Sequence, residues 1–314
     1  MNVFNSIFIK PVKIIIYFFL IIIITFKVVD LSMYHFYGIG DPIYYQYSKI
    51  LGYELKPNQE VTRRGKIVKI NNLGMRSSYD WASNNNQLKI LFLGDSITYG
   101  GSAVNNNELF SEKTCYNLSI DKYICGNYAV NGYGIESIIK KIKYRDIKDE
   151  DILIVVLTEG SVSRGINHLT AQPFWSKNIN KIFPAITEAS IYIIDIFKNK
   201  IKFDFTDKHS GETNSQYSLD LLFELKVAIK ENNKRAIVIY SPEKSELNLE
   251  NSETLIFLKK NFTNFIDMSK FIFEFKEKVY ADHVHLNSYG HSIYAEVISD
   301  FIFKNNSISK KNID

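Results

Sequence analysis

The hydrophobic pattern changes character twice along the chain. Residues 14–26 form an almost uninterrupted apolar run, with Lys10 and Lys13 before it, Lys27 after it, and Val28-Val29 extending it. The strict run is shorter than the roughly 20 residues a bilayer requires. Flanking lysines snorkel, however, which lengthens the usable span to residues 12–29. A helix of a soluble core is rarely apolar on every face with lysines only at its ends. A cleaved signal peptide would show a small-x-small site after the run, and here the chain reads Phe26-Lys27-Val28-Val29-Asp30-Leu31. The expectation is an uncleaved signal anchor, one transmembrane helix. Lys10, Lys13 and the amino terminus hold that end in the cytoplasm, so residues beyond about Asp30 are expected on the extracytoplasmic side.

From 31 to 87 the apolar runs are short and broken by turn signals: Gly38-Ile39-Gly40-Asp41-Pro42, Lys56-Pro57-Asn58, Asn71-Asn72-Leu73-Gly74 and Ser83-Asn84-Asn85-Asn86. Between them Lys66–Ile70 is rich in β-branched residues, a short strand signal. This stretch reads as a β-rich extension.

From Leu88 the pattern alternates between buried strands and amphipathic helices. Leu88–Leu93 is nearly all apolar and ends in Gly94, as a strand buried on both faces does. The pattern then predicts a helix near 107–118, a strand over 123–130, a helix over Ile135–Tyr144 and a second buried strand over 151–157. A less regular stretch, 165–215, interrupts the rhythm as an insertion. A helix over 218–230, a strand over Arg235–Tyr240, a weaker strand over 262–267 and a final helix over 288–303 follow. Such alternation implies a parallel sheet with helices on both faces, with the site beyond the carboxyl ends of the strands. The expected organisation is a tip and anchor (1–30), a juxtamembrane extension (31–87), an α/β domain (88–303) and a polar tail (304–314).

Composition narrows the function. The 314 residues are 46% hydrophobic, and 38 Lys and Arg against 34 Asp and Glu leave a net charge of +4 with no basic stripe, so nucleic acid is not an expected partner. The only two cysteines, Cys115 and Cys125, cannot close a structural zinc site alone. Outside the cytoplasm they could pair; two separate thiols are an equal alternative.

Three short motifs carry candidate chemistry. Gly94-Asp95-Ser96-Ile97-Thr98 follows the first buried strand, which would expose Ser96 at the sheet edge. Taken alone, Ser or Asp there is better read as a helix cap. The run lacks the second glycine of a G-x-S-x-G elbow and the Gly-Lys-Ser/Thr of a phosphate loop. Asp282-His283-Val284-His285 precedes the last helix. A hydroxyl nucleophile needs an imidazole to take its proton and a carboxylate to orient that imidazole. Asp282 and His285, three residues apart, share a face on a helical turn. By itself Asp-x-x-His is better read as a surface histidine pair near a helix cap. Asn127-Tyr128-Ala129-Val130-Asn131-Gly132 ends the second strand, where a glycine N–H could face an oxyanion or merely shape a turn.

In this order along the chain, Gly-Asp-Ser, Asn-x(4)-Gly and Asp-x-x-His resemble the SGNH (GDSL-like) hydrolase family over residues 88–303. The segments Gly52-Tyr53-Glu54-Leu55-Lys56-Pro57-Asn58 and Asn72-Leu73-Gly74-Met75-Arg76 resemble the stretch ahead of the catalytic domain in bacterial members. The resemblance implies a flavodoxin-like three-layer α/β/α sandwich. It also implies a serine esterase without cofactor or metal, in which Ser96 is the nucleophile and His285 and Asp282 complete the triad. The N–H groups of Ser96 and Gly132 would form part of the oxyanion hole. Acylated small molecules, glycans or lipids would be its substrates.

The family usually places an asparagine donor after its third strand. Here that strand runs into Thr158-Glu159-Gly160-Ser161-Val162-Ser163-Arg164, without asparagine. Losing one oxyanion donor costs about 3–4 kcal/mol of transition-state stabilisation. Ser161, Ser163 and Asn167 are candidate replacements. Three rivals follow: an acyltransferase using the same triad, a membrane-tethered module that binds acylated glycan without cleaving it, and a metal hydrolase built on Asp95, Asp282, His283 and His285.

Overall fold

The computed structural model describes residues 2–81, 86–119, 121–166, 182–203, 215–232, 235–247 and 252–311. The first element, α1 (Asn2–Tyr37), is one helix. It contains a stretch, Val12–Tyr37, long and apolar enough to cross a membrane, and its most apolar 18-residue window is not buried inside the protein. The helix outlasts the expected span, because its last turns are captured by later chain. Asp30 is fully buried and accepts from the backbone N–H of Ile186 at 3.0 Å.

Two antiparallel hairpins follow, β1 (Tyr45–Ser48) with β2 (Gly52–Leu55), and β3 (Gln59–Arg63) with β4 (Lys66–Ile70). β4 covers the residues expected of it. Tyr45, Tyr53, Leu55, Val68 and Ile70 bury against Tyr99, Ala129, Val130 and Tyr133, so the hairpins share a core with the loops at the sheet edge.

The central sheet is built from β5 (Leu88–Leu93), β6 (Tyr123–Asn127), β7 (Ile152–Leu157), β8 (Arg235–Tyr240) and β9 (Phe265–Asp267). All neighbours are parallel, in the order β6-β5-β7-β8-β9. Numbered along the sheet's own strands this is 2-1-3-4-5, the flavodoxin-like order, which places β5 between β6 and β7. The helices are α2 (Ser96–Tyr99), α3 (Phe110–Leu118), α4 (Ile135–Tyr144), α5 (Glu159–Val162), α6 (Pro184–Phe203), α7 (Ser215–Glu231), α8 (Glu253–Asn261), α9 (Ser269–Ile272) and α10 (Ser288–Lys311).

Side chains alternate between the two faces, as a pleated strand requires. Leu91, Leu93, Leu153 and Val155 pack under α4, α7 and α8. Ile90, Phe92, Ile152 and Ile154 pack under α3 and α10. Each fully buried aliphatic side chain contributes about 1.5–3 kcal/mol, so the two apolar layers hold the sheet as the middle of a three-layer sandwich. Cys115 of α3 and Cys125 of β6 are joined in a disulfide beside the second layer.

Several expected boundaries move. The strand expected over 123–130 ends at Asn127, where Tyr128 turns to donate to Phe92 O at 2.8 Å. The strand expected over 262–267 shrinks to the edge strand β9. α10 continues past 303 to Lys311, into the expected polar tail. α6 and α8 were not anticipated. Much of the 165–215 insertion, including Asn167, lies outside the described residues.

Candidate active site

The turn from β5 into α2 presents Ser96. Gly94 permits it, since a Cβ at that position would stand 2.2 Å from Thr98 Oγ1. Asp95 is the N-cap of α2, accepting from Ile97 N at 3.0 Å, and Ser96 is the first helical residue, half-buried. The cap thus belongs to Asp95, which leaves the Ser96 hydroxyl uncommitted among the described residues. Thr158 Oγ1 donates to Asp95 Oδ2 at 3.2 Å. Burial raises the Asp95 carboxyl above its ordinary range, and Arg164, the Ile97 N–H and Thr158 offset part of that rise.

Asp282 and His285 meet directly. His285 Nδ1 lies 2.8 Å from Asp282 Oδ2, while Asp282 Oδ1 accepts the backbone N–H of Val284 at 2.8 Å and of His285 at 2.7 Å. Partial burial works to raise the Asp282 carboxyl, but those two N–H groups and the imidazole outweigh it and hold it at about 2. It is therefore a carboxylate throughout the neutral range. With Nδ1 engaged, Nε2 is the ring nitrogen left to take a proton. The imidazole rests over Gly101, where a Cβ would come within 3.7 Å of its Cδ2. Gly101 lies in the loop that directly follows α2, so the ring and Ser96 border the same turn. Among the described residues no hydrogen bond joins Ser96 to His285, a pairing that commonly tightens only when substrate binds.

Gly132 sits in the loop after β6 with φ +77°, the left-handed region that glycine enters without strain. The hairpins pin that loop on both sides. Tyr53 Oη donates to Asn131 O at 2.5 Å, Asn131 Nδ2 donates to Tyr45 Oη at 3.1 Å, and Tyr133 Oη donates to Tyr53 O at 2.6 Å. Asn127 ties the same loop to α2, donating to Thr98 O at 2.6 Å.

Ser161 does not fit the role expected of it. Its N–H donates to Thr158 Oγ1 at 2.9 Å, its hydroxyl donates to Thr158 O at 2.9 Å, and it is fully buried. Both donors are spent on the capping box of α5. Ser163 Oγ donates to Gly160 O at 3.3 Å. Of the proposed metal ligands, His283 is exposed, and among the described residues no group of three His, Cys, Asp or Glu side chains is placed to hold a metal ion.

Two arginines border the site that local motif reading did not single out. Arg76, fully buried, donates from Nη1 to Tyr99 O at 2.8 Å and Gly101 O at 2.6 Å, and from Nη2 to Val104 O at 2.7 Å. Arg164 Nη2 stands 3.9 Å from Asp95 Oδ2. The only sequence signal for Arg76 was its place in the Asn-Leu-Gly-Met-Arg run. Arg164 had none beyond following the strand end where an asparagine was sought.

No protein-family model matches the sequence, and no curated protein does. Among solved structures, the chain is similar to a member of the lipolytic protein G-D-S-L family from Veillonella parvula, at 17% identity and TM-score 0.40, covering 67% of this chain and 94% of that one. It is similar to an acetylxylan esterase from Geobacillus stearothermophilus at 16% identity and TM-score 0.43, covering 70% and 96%. A two-domain esterase active on acetylated mannans matches at 16% identity and TM-score 0.42, covering 69% of this chain and 49% of that one.

Proposed function

We propose that the protein hydrolyses O-acyl carboxylic esters through an acyl-enzyme on Ser96. The observation that carries this reading is the Asp282–His285 pair at 2.8 Å, its imidazole lying over the loop that follows the Ser96 turn. In the first half-reaction Ser96 Oγ adds to the carbonyl carbon and its proton passes to His285 Nε2. The carbonyl electron pair moves onto oxygen, and its return expels the alcohol, which takes the proton from the imidazolium. A water repeats the sequence on the acyl-serine and frees the acid. Asp282 stays ionised, keeps the Nδ1–H tautomer and stabilises the imidazolium. The N–H groups of Ser96 and Gly132 are the assigned backbone donors to the oxyanion.

In this reading α1 is an uncleaved single-pass anchor with its amino terminus in the cytoplasm. The catalytic domain, 88–303, then works outside, on acyl groups of a glycan or lipid. The Cys115–Cys125 disulfide supports that compartment, since structural disulfides persist where the surroundings are oxidising. The half-buried position of Ser96 suits a substrate that approaches an open site.

The test uses the full-length chain in detergent with a fluorophosphonate probe and a short-chain aryl ester. Wild type is expected to be labelled and to turn over the ester, and Ser96→Ala to do neither. Labelling that survives Ser96→Ala would sink the assignment. Labelling of wild type without hydrolysis, but with acyl transfer to added sugar alcohols, would shift the reading to an acyltransferase.

A further inference from the structure

We propose that Arg164 donates to the oxyanion, in the place where the end of β7 offers no asparagine. This rests on the assignment of Ser96 as nucleophile and concerns the same site.

The sheet order sets the frame. Because β5 lies between β6 and β7, the Ser96 turn is flanked by the loop after β6, carrying Gly132, and by the α5 segment after β7. An oxyanion formed at Ser96 is open to donors from both neighbours. On the β7 side, Thr158 and Ser161 are turned inward by their mutual capping. Gly160 contributes no side chain, and its empty position is filled from elsewhere. A Cβ there would stand 3.2 Å from Arg164 Nη2 and 2.8 Å from Glu243 Oε1. The guanidinium thus occupies the volume that a side chain at residue 160 would use.

Arg164 is held there from several sides. Its Nε donates to Gly160 O at 3.1 Å, and its Nη2 faces the carboxylate of Asp95, the residue joined to Ser96, at 3.9 Å. Its backbone is seated against the opposite loop: a Cβ at Gly134 would lie 2.0 Å from Arg164 O. Only a glycine allows that approach, and it brings the two loops flanking Ser96 together.

A purely structural role, as counter-ion to buried Asp95, explains less. Both Asp95 oxygens already accept hydrogen bonds, from Ile97 N at 3.0 Å and Thr158 Oγ1 at 3.2 Å. Arg164 stands outside hydrogen-bond distance of them. Among the described residues the Nε bond to Gly160 is the one hydrogen bond its guanidinium makes, and the side chain is 36% exposed. Among the described residues its terminal N–H groups make no hydrogen bond. A guanidinium at this point meets the negative charge that appears on the carbonyl oxygen when Ser96 Oγ bonds to carbon. The charge returns to the carbonyl when the carbon–oxygen bond to the alcohol breaks and the alcohol leaves with the proton from His285.

The experiment measures kcat and KM on a neutral aryl acetate, and the fluorophosphonate labelling rate, for full-length wild type, Arg164→Ala, Arg164→Lys and Gly160→Asn/Arg164→Ala. Arg164→Ala is expected to lower kcat about 10²–10³-fold with little change in KM, the loss associated with one oxyanion donor. Labelling should slow in parallel, because the phosphonyl oxygen takes the same place. Arg164→Lys should recover part of kcat. The double variant should too, since asparagine at 160 enters the space that Arg164 vacates, needing only the flexible end of Glu243 to move. An Arg164→Ala enzyme with unchanged kcat, or with its whole loss in KM, overturns the proposal while Ser96 labelling leaves the nucleophile standing. A double variant no better than Arg164→Ala, with both folded, also counts against it. A wild type that is not labelled overturns the Ser96 assignment first, and this inference with it.

Discussion

The guanidinium of Arg76 donates to the carbonyl oxygen of Gly101 at 2.6 Å, and the other face of Gly101 carries the His285 imidazole. A side chain from the segment before the central sheet thus holds the loop against which the His285 imidazole rests. The same guanidinium reaches Tyr99 O, Val104 O and, from Nε, Asn106 Oδ1 at 3.2 Å. The extension is built into the site rather than appended to it.

Replacing Arg76 with methionine leaves the buried carbonyls of Tyr99 and Val104, and the part-buried one of Gly101, without their donor. Each unsatisfied group costs about 1–3 kcal/mol, so a drop of several kcal/mol in unfolding free energy is expected, with a parallel loss of activity. Arg76→Lys keeps the charge but not the fork, and should retain more stability than Arg76→Met while activity still falls. Thermal melts and ester hydrolysis of the two variants check this. Equal activity in wild type and Arg76→Lys would show that the loop needs no fork.

Asp282→Asn separates orientation from folding. The amide keeps the volume but favours the wrong imidazole tautomer, and kcat is expected to fall about 10³–10⁴-fold. The pair is substantially exposed, so the melting temperature should hardly move. A kcat within about tenfold of wild type would remove Asp282 from the triad.

Lys141 gives the protein a pH-dependent stability. Its amine is fully buried, 3.4 Å from the Tyr128 ring centroid, and has no hydrogen-bond partner among the described residues. Burial lowers it from 10.5 to about 7, against the pull of Glu54. Between those values the unfolded chain binds more protons than the folded one. Stability should therefore rise as pH increases from about 7 to 10.5, and level off below 7. Lys141→Met is expected to flatten that rise and raise stability at neutral pH. Denaturant unfolding across this range measures it, and an unchanged slope in the variant would assign the effect elsewhere.

The disulfide closes a short loop between α3 and β6, Cys115 to Cys125 being 10 residues apart. Constraining such a loop in the unfolded chain is worth about 2–4 kcal/mol. The double replacement by alanine should lower stability by that amount without affecting kcat. Melts of oxidised and reduced wild type provide the companion measurement.

Burial periodicity is a local property, and it carried the sheet. Ile152–Leu157 is buried at every position, and its all-apolar run announced a central strand before any partner was known. Ile135–Tyr144 announced its amphipathic helix in the same way. Asp282 and His285 were legible because three residues on one turn bring a carboxylate to an imidazole without help from the rest of the chain. Elements without a clean period stayed hidden. The apolar positions of α8 are the consecutive residues 255–258, which read as strand or loop until Ser252 caps them.

Residue order by itself therefore determined the strand–helix alternation, the apolar N-terminal segment and the Asp282–His285 pair. Tertiary structure alone decided what joins distant segments. It paired Cys115 with Cys125, turned Ser161 inward to cap α5, and brought Arg76 and Arg164 to the borders of the Ser96 turn. The physical reason is that a backbone period repeats within one element. A guanidinium lodged against a glycine or a carbonyl depends on which loops the sheet order sets side by side.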